Sequence, residues 1–145
     1  MSPRAGNAED FAGALAARVA RYGDRPLVTW YGAVPGERVE LSWRTFGNWV
    51  AKTANLLVDE LGVEPGDRVA TVLPVHWQAP VVLVACWLVG ATVVPAGPGV
   101  PREAATAVLA GAGCRVAFVH EELLAEARER LGGDRSAAAG RPTLV

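Results

Sequence analysis

Apolar residues along this chain recur in two rhythms that alternate from one end to the other. In the first segment Phe11, Leu15 and Val19 fall at i, i+4 and i+8, which predicts an amphipathic helix that Asn7 is placed to cap and Gly23 to end. Leu27–Tyr31 and Arg38–Leu41 are short β-rich runs separated by a loop carrying Pro35 and Gly36, the pattern of a hairpin. Ser42 then stands as an N-cap, with Leu41 and Phe46 at the spacing of a hydrophobic staple. Phe46, Val50, Thr53, Leu57 and Leu61 mark one helical face, and Gly62 is placed as the C′ residue. Glu64-Pro65-Gly66-Asp67 has the residue order of a type II turn.

From there strand and helix patterns take turns. Arg68–Leu73, Thr92–Ala96 and Arg115–Val119 are apolar with little polar alternation, as expected of strands covered on both faces. Helical stretches at about Trp77–Val89, Pro101–Ala112 and Glu121–Leu131 separate or follow them, the last using Leu124, Ala127 or Arg128, and Leu131. Gly132–Gly140 is expected to be a loop, and Arg141–Val145 to begin a further strand. The prediction is an α/β fold: a three-layer arrangement with a mostly parallel sheet, helices on both faces and an N-terminal antiparallel hairpin. At 145 residues, the chain is expected to form a single domain over 1–145.

Composition narrows the function classes. Hydrophobic residues make up 51% and charged residues 20%, with 14 basic against 15 acidic, which leaves no electrostatic footprint for nucleic acid. The apolar run Val81–Val94 is shorter than the ~20 residues that span a bilayer and is broken at Gly90, so no membrane segment is expected. Cys86 and Cys114 show no pairing pattern, and without a signal peptide they read as reduced, buried thiols of a cytoplasmic protein. The five tryptophans read as core. Lys52 is the only lysine, against 13 arginines, which constrains any phosphate-handling or Schiff-base chemistry.

Candidate sites are few. Gly97 and Gly99 flank Pro98 between a strand and a helix, where backbone N–H groups could face an anion, although the spacing matches no dinucleotide fingerprint. His76 and His120 each follow a strand, near the sheet edge where α/β folds bind ligands, and Trp77 could wall a pocket beside His76. His120-Glu121-Glu122 is a poor metal set, because adjacent residues at a helix start do not converge, so no metal is expected. No Ser-His-Asp arrangement suggests itself and no catalytic residue is assigned.

The order of segments resembles a known family. Asp24-Arg25-Pro26-Leu27 and Val39-Glu-Leu-Ser-Trp-Arg-Thr-Phe46 are similar to the entry of adenylate-forming enzymes. Leu61-Gly-Val-Glu-Pro-Gly-Asp-Arg-Val-Ala70 resembles their "Leu-Gly-Val-x-Pro-Gly-Asp-Arg-Val-Ala" segment almost residue for residue. Leu73-Pro74, followed by Trp87-Leu-Val-Gly-Ala-Thr-Val-Val-Pro95, continues in step, as does Pro101–His120. Val75 and Val89 stand where Asn and Lys are common in the family. The resemblance is to the AMP-binding superfamily of acyl-CoA synthetases, adenylation domains and luciferases, over about 11–131, nearest in style to short actinobacterial AMP-binding-like proteins. It implies the N-terminal part of a domain that makes acyl-AMP from a carboxylate and ATP with Mg, then passes the acyl group to CoA or a carrier thiol. The family's Ser/Thr/Gly-rich phosphate loop and catalytic lysine have no counterpart in the matched stretch. The expectation is therefore a truncated ligase-like chain, inactive alone and needing no cofactor by itself. Its expected partner is the remainder of the enzyme or a second copy; a non-catalytic partner-binding module and an autonomous nucleotide-binding domain are the alternatives.

Overall fold

In a computed structural model, residues 7–125 and 143–144 are described. Helix α1 (Asn7–Tyr22) leads into strands β1 (Pro26–Tyr31) and β2 (Arg38–Ser42), which pair antiparallel as the expected hairpin. Asn7 is the first described residue and lies within α1, so the expected cap of this helix falls at the limit of the described residues. Ser42 caps helix α2 (Trp43–Asn55), its Oγ accepting from the Thr45 N–H at 3.2 Å. Leu41 and Phe46, the two halves of the staple, are both buried in one core. The helix does not run regularly to Gly62: its last turn, Leu56–Glu60, widens to π geometry, with the Leu61 N–H donating to the Leu56 carbonyl at 3.0 Å. Leu57 is fully buried within that turn. The Glu64–Asp67 turn closes by an Asp67 N–H to Glu64 carbonyl bond of 3.0 Å, and Gly66 takes the positive φ of 92° that its third position requires.

Four parallel strands then form the main sheet: β3 (Arg68–Val72), β4 (Thr92–Pro95), β5 (Val116–Val119) and β6 (Thr143–Leu144), in the order β4-β3-β5-β6. Helix α3 (Gln78–Leu88) joins β3 to β4, and α4 (Arg102–Ala112) carries the chain back across β3 to β5. Strand β6 lies within Arg141–Val145, where a further strand is expected, and pairs with β5 through Thr143 and Leu144. The expected helix after β5 opens as a 3-10 turn, Glu121–Leu123; its later residues and the Gly132–Gly140 loop lie outside the described residues.

Alternation along the sheet sorts two cores. Val69, Val116 and Phe118 join Val50, Leu57, Val81, Ala85 and Cys86 from α2 and α3 on one face. Ala70, Val72, Val94 and Ala117 face the other way, onto Ala105 and Cys114. The apolar run Val81–Val94 divides between α3 and β4, and among the described residues no helix is long and apolar enough to cross a membrane. Both thiols are buried and unpaired, on opposite faces of the sheet. Burial pushes the Cys86 thiol up to about 11 and also raises that of Cys114, so both are packing groups rather than nucleophiles.

The tryptophans correct the reading that placed them in the core. None belongs to either set of buried residues; Trp49 and Trp87 are 41% and 50% exposed. The cores are built instead mostly from alanine, valine and cysteine, with Leu41, Phe46, Leu57 and Phe118 as the larger buried side chains, and Trp77 packs against them only partly buried. Leu57→Ala should cost about 2–5 kcal/mol, because removing a fully buried side chain leaves a cavity in the core. Urea unfolding followed by far-UV circular dichroism measures it.

Candidate functional site

The strand order places a change of direction beside β3. The segment after β3 leads to α3 on one face, whereas the segment after β5 leads to Leu123 on the other. The two connections diverge, and a crevice opens between the carboxyl ends of the strands. A cavity of about 580 Å³ occupies that crevice. Its walls come from Leu73, His76, Trp77 and Gln78 after β3, from Phe118 to Glu121 at the end of β5, from Trp49 and Thr53 of α2, and from Val81 and Val82 of α3.

Backbone bonds hold this rim. The His120 N–H donates to the Val72 carbonyl at 3.2 Å, tying the end of β5 to the end of β3. The His76 carbonyl accepts from the Ala79 N–H at 3.0 Å, and its Nδ1 accepts from the Gln78 N–H at 3.4 Å. The imidazole thereby satisfies one of the free N–H groups at the start of α3, where Trp77 supplies no side-chain cap. Across the gap, Trp30 of β1 donates its Nε1–H to the Val75 carbonyl at 2.8 Å. One long-range bond thus anchors the hairpin to the rim.

Aromatic rings line this anchor. His76 lies 4.7 Å from Trp30, 5.4 Å from Trp77 and 5.2 Å from His120, centroid to centroid. Trp77 meets Trp49 at 5.5 Å and 61°, an edge-to-face pair. The Lys52 ammonium sits 5.6 Å over the Trp49 ring, which engages the sole lysine in a cation–π contact. Burial lowers the His76 pKa, the neighbouring His120 lowers it further, and Glu37, the Gln78 bond and Glu122 oppose the shift. His120 Nδ1 is buried without a hydrogen-bond partner, with Glu122 Oε2 at 3.9 Å.

The structure brings together His76, Trp77 and His120, and leaves Gly97 and Gly99 away from the cavity wall. Gly97 has a packing reason: a Cβ there would stand 2.5 Å from the Leu73 carbonyl oxygen. Among the described residues no three His, Cys, Asp or Glu side chains are grouped to hold a metal. Trp30, Trp49 and Phe118 are the site residues that sequence reasoning missed. Trp49 carried the one available signal: it sits on α2 beside the stripe Phe46–Val50–Leu57 rather than in it.

Comparison with known proteins agrees with this architecture. The family model described as "AMP-binding enzyme" matches residues 15–141. A "TIGR03089 family protein" of Mycobacterium tuberculosis is 53% identical over 66 residues, which are 46% of this chain and 27% of that protein. Acetyl-coenzyme A synthetase of Mycobacterium bovis is 39% identical over 71 residues, 49% of this chain and 11% of the synthetase. The crystal structure of a four-domain nonribosomal peptide synthetase bound to AMP and glycine shares the fold with a TM-score of 0.71 at 22% identity. That match covers 94% of this chain and 9% of the synthetase. The matched stretch is thus about a quarter or less of the length of each of these proteins.

The lowered His76 pKa sets a pH dependence. In the unfolded chain the imidazole takes up its proton near the ordinary value of about 6.5, whereas the folded state resists it. Between that value and the lower folded one, the unfolded state binds more protons, so stability falls as pH drops below about 6.5 and is fully present above it. His76→Gln should flatten this part of the stability profile, read as thermal midpoints across buffers from neutral to mildly acidic pH.

Proposed function

The chain belongs to the AMP-binding enzyme family, and from that premise we propose that it is the N-terminal sheet unit of an adenylate-forming, acyl-CoA synthetase-like ligase and does not itself form the adenylate. The family reaction joins a carboxylate to the α-phosphate of ATP and expels pyrophosphate. Every reacting group is anionic, so catalysis depends on cations and hydrogen-bond donors placed where charge develops. One observation carries the reading: among the described residues, no lysine or arginine lines the cavity at the strand ends. Its polar side chains are Thr53, His76, Gln78, His120 and Glu121, and burial favours the neutral form of His76. A triphosphate entering this crevice would meet a carboxylate on the wall, while the Lys52 ammonium is engaged over the Trp49 ring and does not line the cavity.

In this reading ATP with Mg, and CoA or another thiol acceptor, are held by groups supplied from the remainder of the enzyme. A cytoplasmic location goes with it, supported by two buried, unpaired thiols. ATP–pyrophosphate exchange with a panel of carboxylates should be at background for the purified 145-residue chain. Robust exchange with any acid would overturn the reading.

A second reading, self-association, has its own support. Trp87 is half-exposed on α3, in edge contact with Phe11 of α1 at 6.1 Å, an aromatic pair facing outward rather than into a core. The outer side of β4 is a less suitable contact, since Pro95 removes a donor from that edge. Sedimentation velocity should show concentration-dependent association that Trp87→Lys reduces. A monomer throughout would count this reading out.

A further inference from the structure

We propose that the crevice cavity binds a neutral, planar bicyclic aromatic ligand carrying a ring N–H or O–H, and that it rejects the carboxylate of the same ring. This assignment stands apart from the question of adenylate formation, because it rests on the cavity walls alone. Its volume, about 580 Å³, lies inside the range of roughly 300–1,000 Å³ usual for small-molecule sites.

Shape comes first. Trp49 and Trp77 meet at 61°, so their indole planes form a corner. A flat ring seated there stacks on one indole and meets the edge of the other, the two arrangements aromatic pairs prefer. Leu73, Val81, Val82 and Phe118 complete an apolar floor. Trp49 remains 41% exposed, which is costly apolar surface to leave in water and is what a bound ring would cover.

Polarity selects among flat rings. Of the buried side-chain nitrogens and oxygens among the described residues, the one without a hydrogen-bond partner is His120 Nδ1, on this wall. A buried polar atom left unpaired is costly, and a turn of the imidazole that presents Nδ1 to a ligand N–H or O–H relieves it. The Nδ1 of the neighbouring His76 is already committed to the Gln78 N–H. The charged groups around the histidine pair are acidic: Glu121 on the wall, Glu122 3.9 Å from His120, and Glu37 acting on His76, whereas the Lys52 ammonium sits over Trp49 and does not line the cavity. A ligand carboxylate would sit among like charges, whereas an uncharged donor meets no such penalty.

The test compares indole with indole-carboxylate by two-dimensional NMR of the full chain at neutral pH. Indole should bind saturably and shift the Trp49 and Trp77 indole N–H signals together with the backbone amides of Gln78 and His120. Indole-carboxylate should bind roughly tenfold more weakly, as expected of like-charge juxtaposition. Trp49→Ala should weaken indole several-fold with little change in thermal midpoint, since that side chain is exposed. His120→Phe, which removes the acceptor but keeps a ring, should weaken indole and narrow its margin over benzofuran, which has no N–H. Carboxylate binding equal to or tighter than indole, shifts confined to residues away from the cavity, or no saturation at millimolar indole would each overturn the proposal.

Discussion

Strand β3 is buried on both faces from Val69 to Val72, and most of the molecule is arranged around that enclosure. Val69 is turned to the core of α2 and α3, while Ala70 and Val72 are turned to the core on the α4 side. Its two edges are filled by parallel neighbours, β4 in register from Arg68 to Thr71 and β5 from Val69 to Val72. A strand so enclosed has no freedom to slip, because a shift of one residue would exchange Val69 and Ala70 between the two cores. The ends of the strand are therefore fixed points. At one end Arg68 donates to the Ala112 carbonyl at 2.8 Å and so cares for the last turn of α4. The other end sets the position of Leu73 to Trp77.

The same enclosure explains what was legible in the sequence. Uninterrupted apolar strands between helical stripes, with Gly62 and the Pro65-Gly66 turn as punctuation, specify a parallel sheet through purely local patterns. Ser42 and its staple were legible for that reason as well, since capping acts within four residues. The π-helical turn at Leu56–Glu60 was not. The residues there match a regular helix equally well, and the widening becomes visible only in the bond from Leu61 to Leu56. Tryptophan placement failed for a related reason: hydrophobicity alone does not distinguish an indole in a core from one beside a cavity.

The site was legible in part. His76, Trp77 and His120 were placed by the rule that ligands of open α/β sheets gather at the carboxyl ends of strands, and all three line the cavity. Trp49 comes from a helix about thirty residues earlier, and Trp30 joins the cluster from the hairpin. Nothing in local spacing announces that the Trp30 N–H reaches the Val75 carbonyl across 45 positions of sequence. Gly97 shows the opposite error. A glycine-rich turn before a helix suggested an anion site, yet Gly97 is explained by the Leu73 carbonyl pressed against the place where its side chain would be.

That Trp30 bond also explains how the chain departs from its relatives without losing the rim. Val75 occupies a position where the resemblance leads one to expect asparagine, and its side chain is 94% exposed. What the rim uses at this position is the backbone carbonyl, which any residue offers. Substitution of the side chain removes a polar group from the mouth of the crevice and leaves the Trp30 anchor intact. The neighbouring imidazole, packed between Trp30 and Trp77, keeps its place for the same reason. The fold of the AMP-binding family therefore persists through contacts made by main chain and apolar packing, while the chemistry of the crevice depends on side chains free to differ. Here those side chains are indoles, imidazoles and carboxylates, so family membership accounts for the sheet and the local residues decide what the crevice will accept.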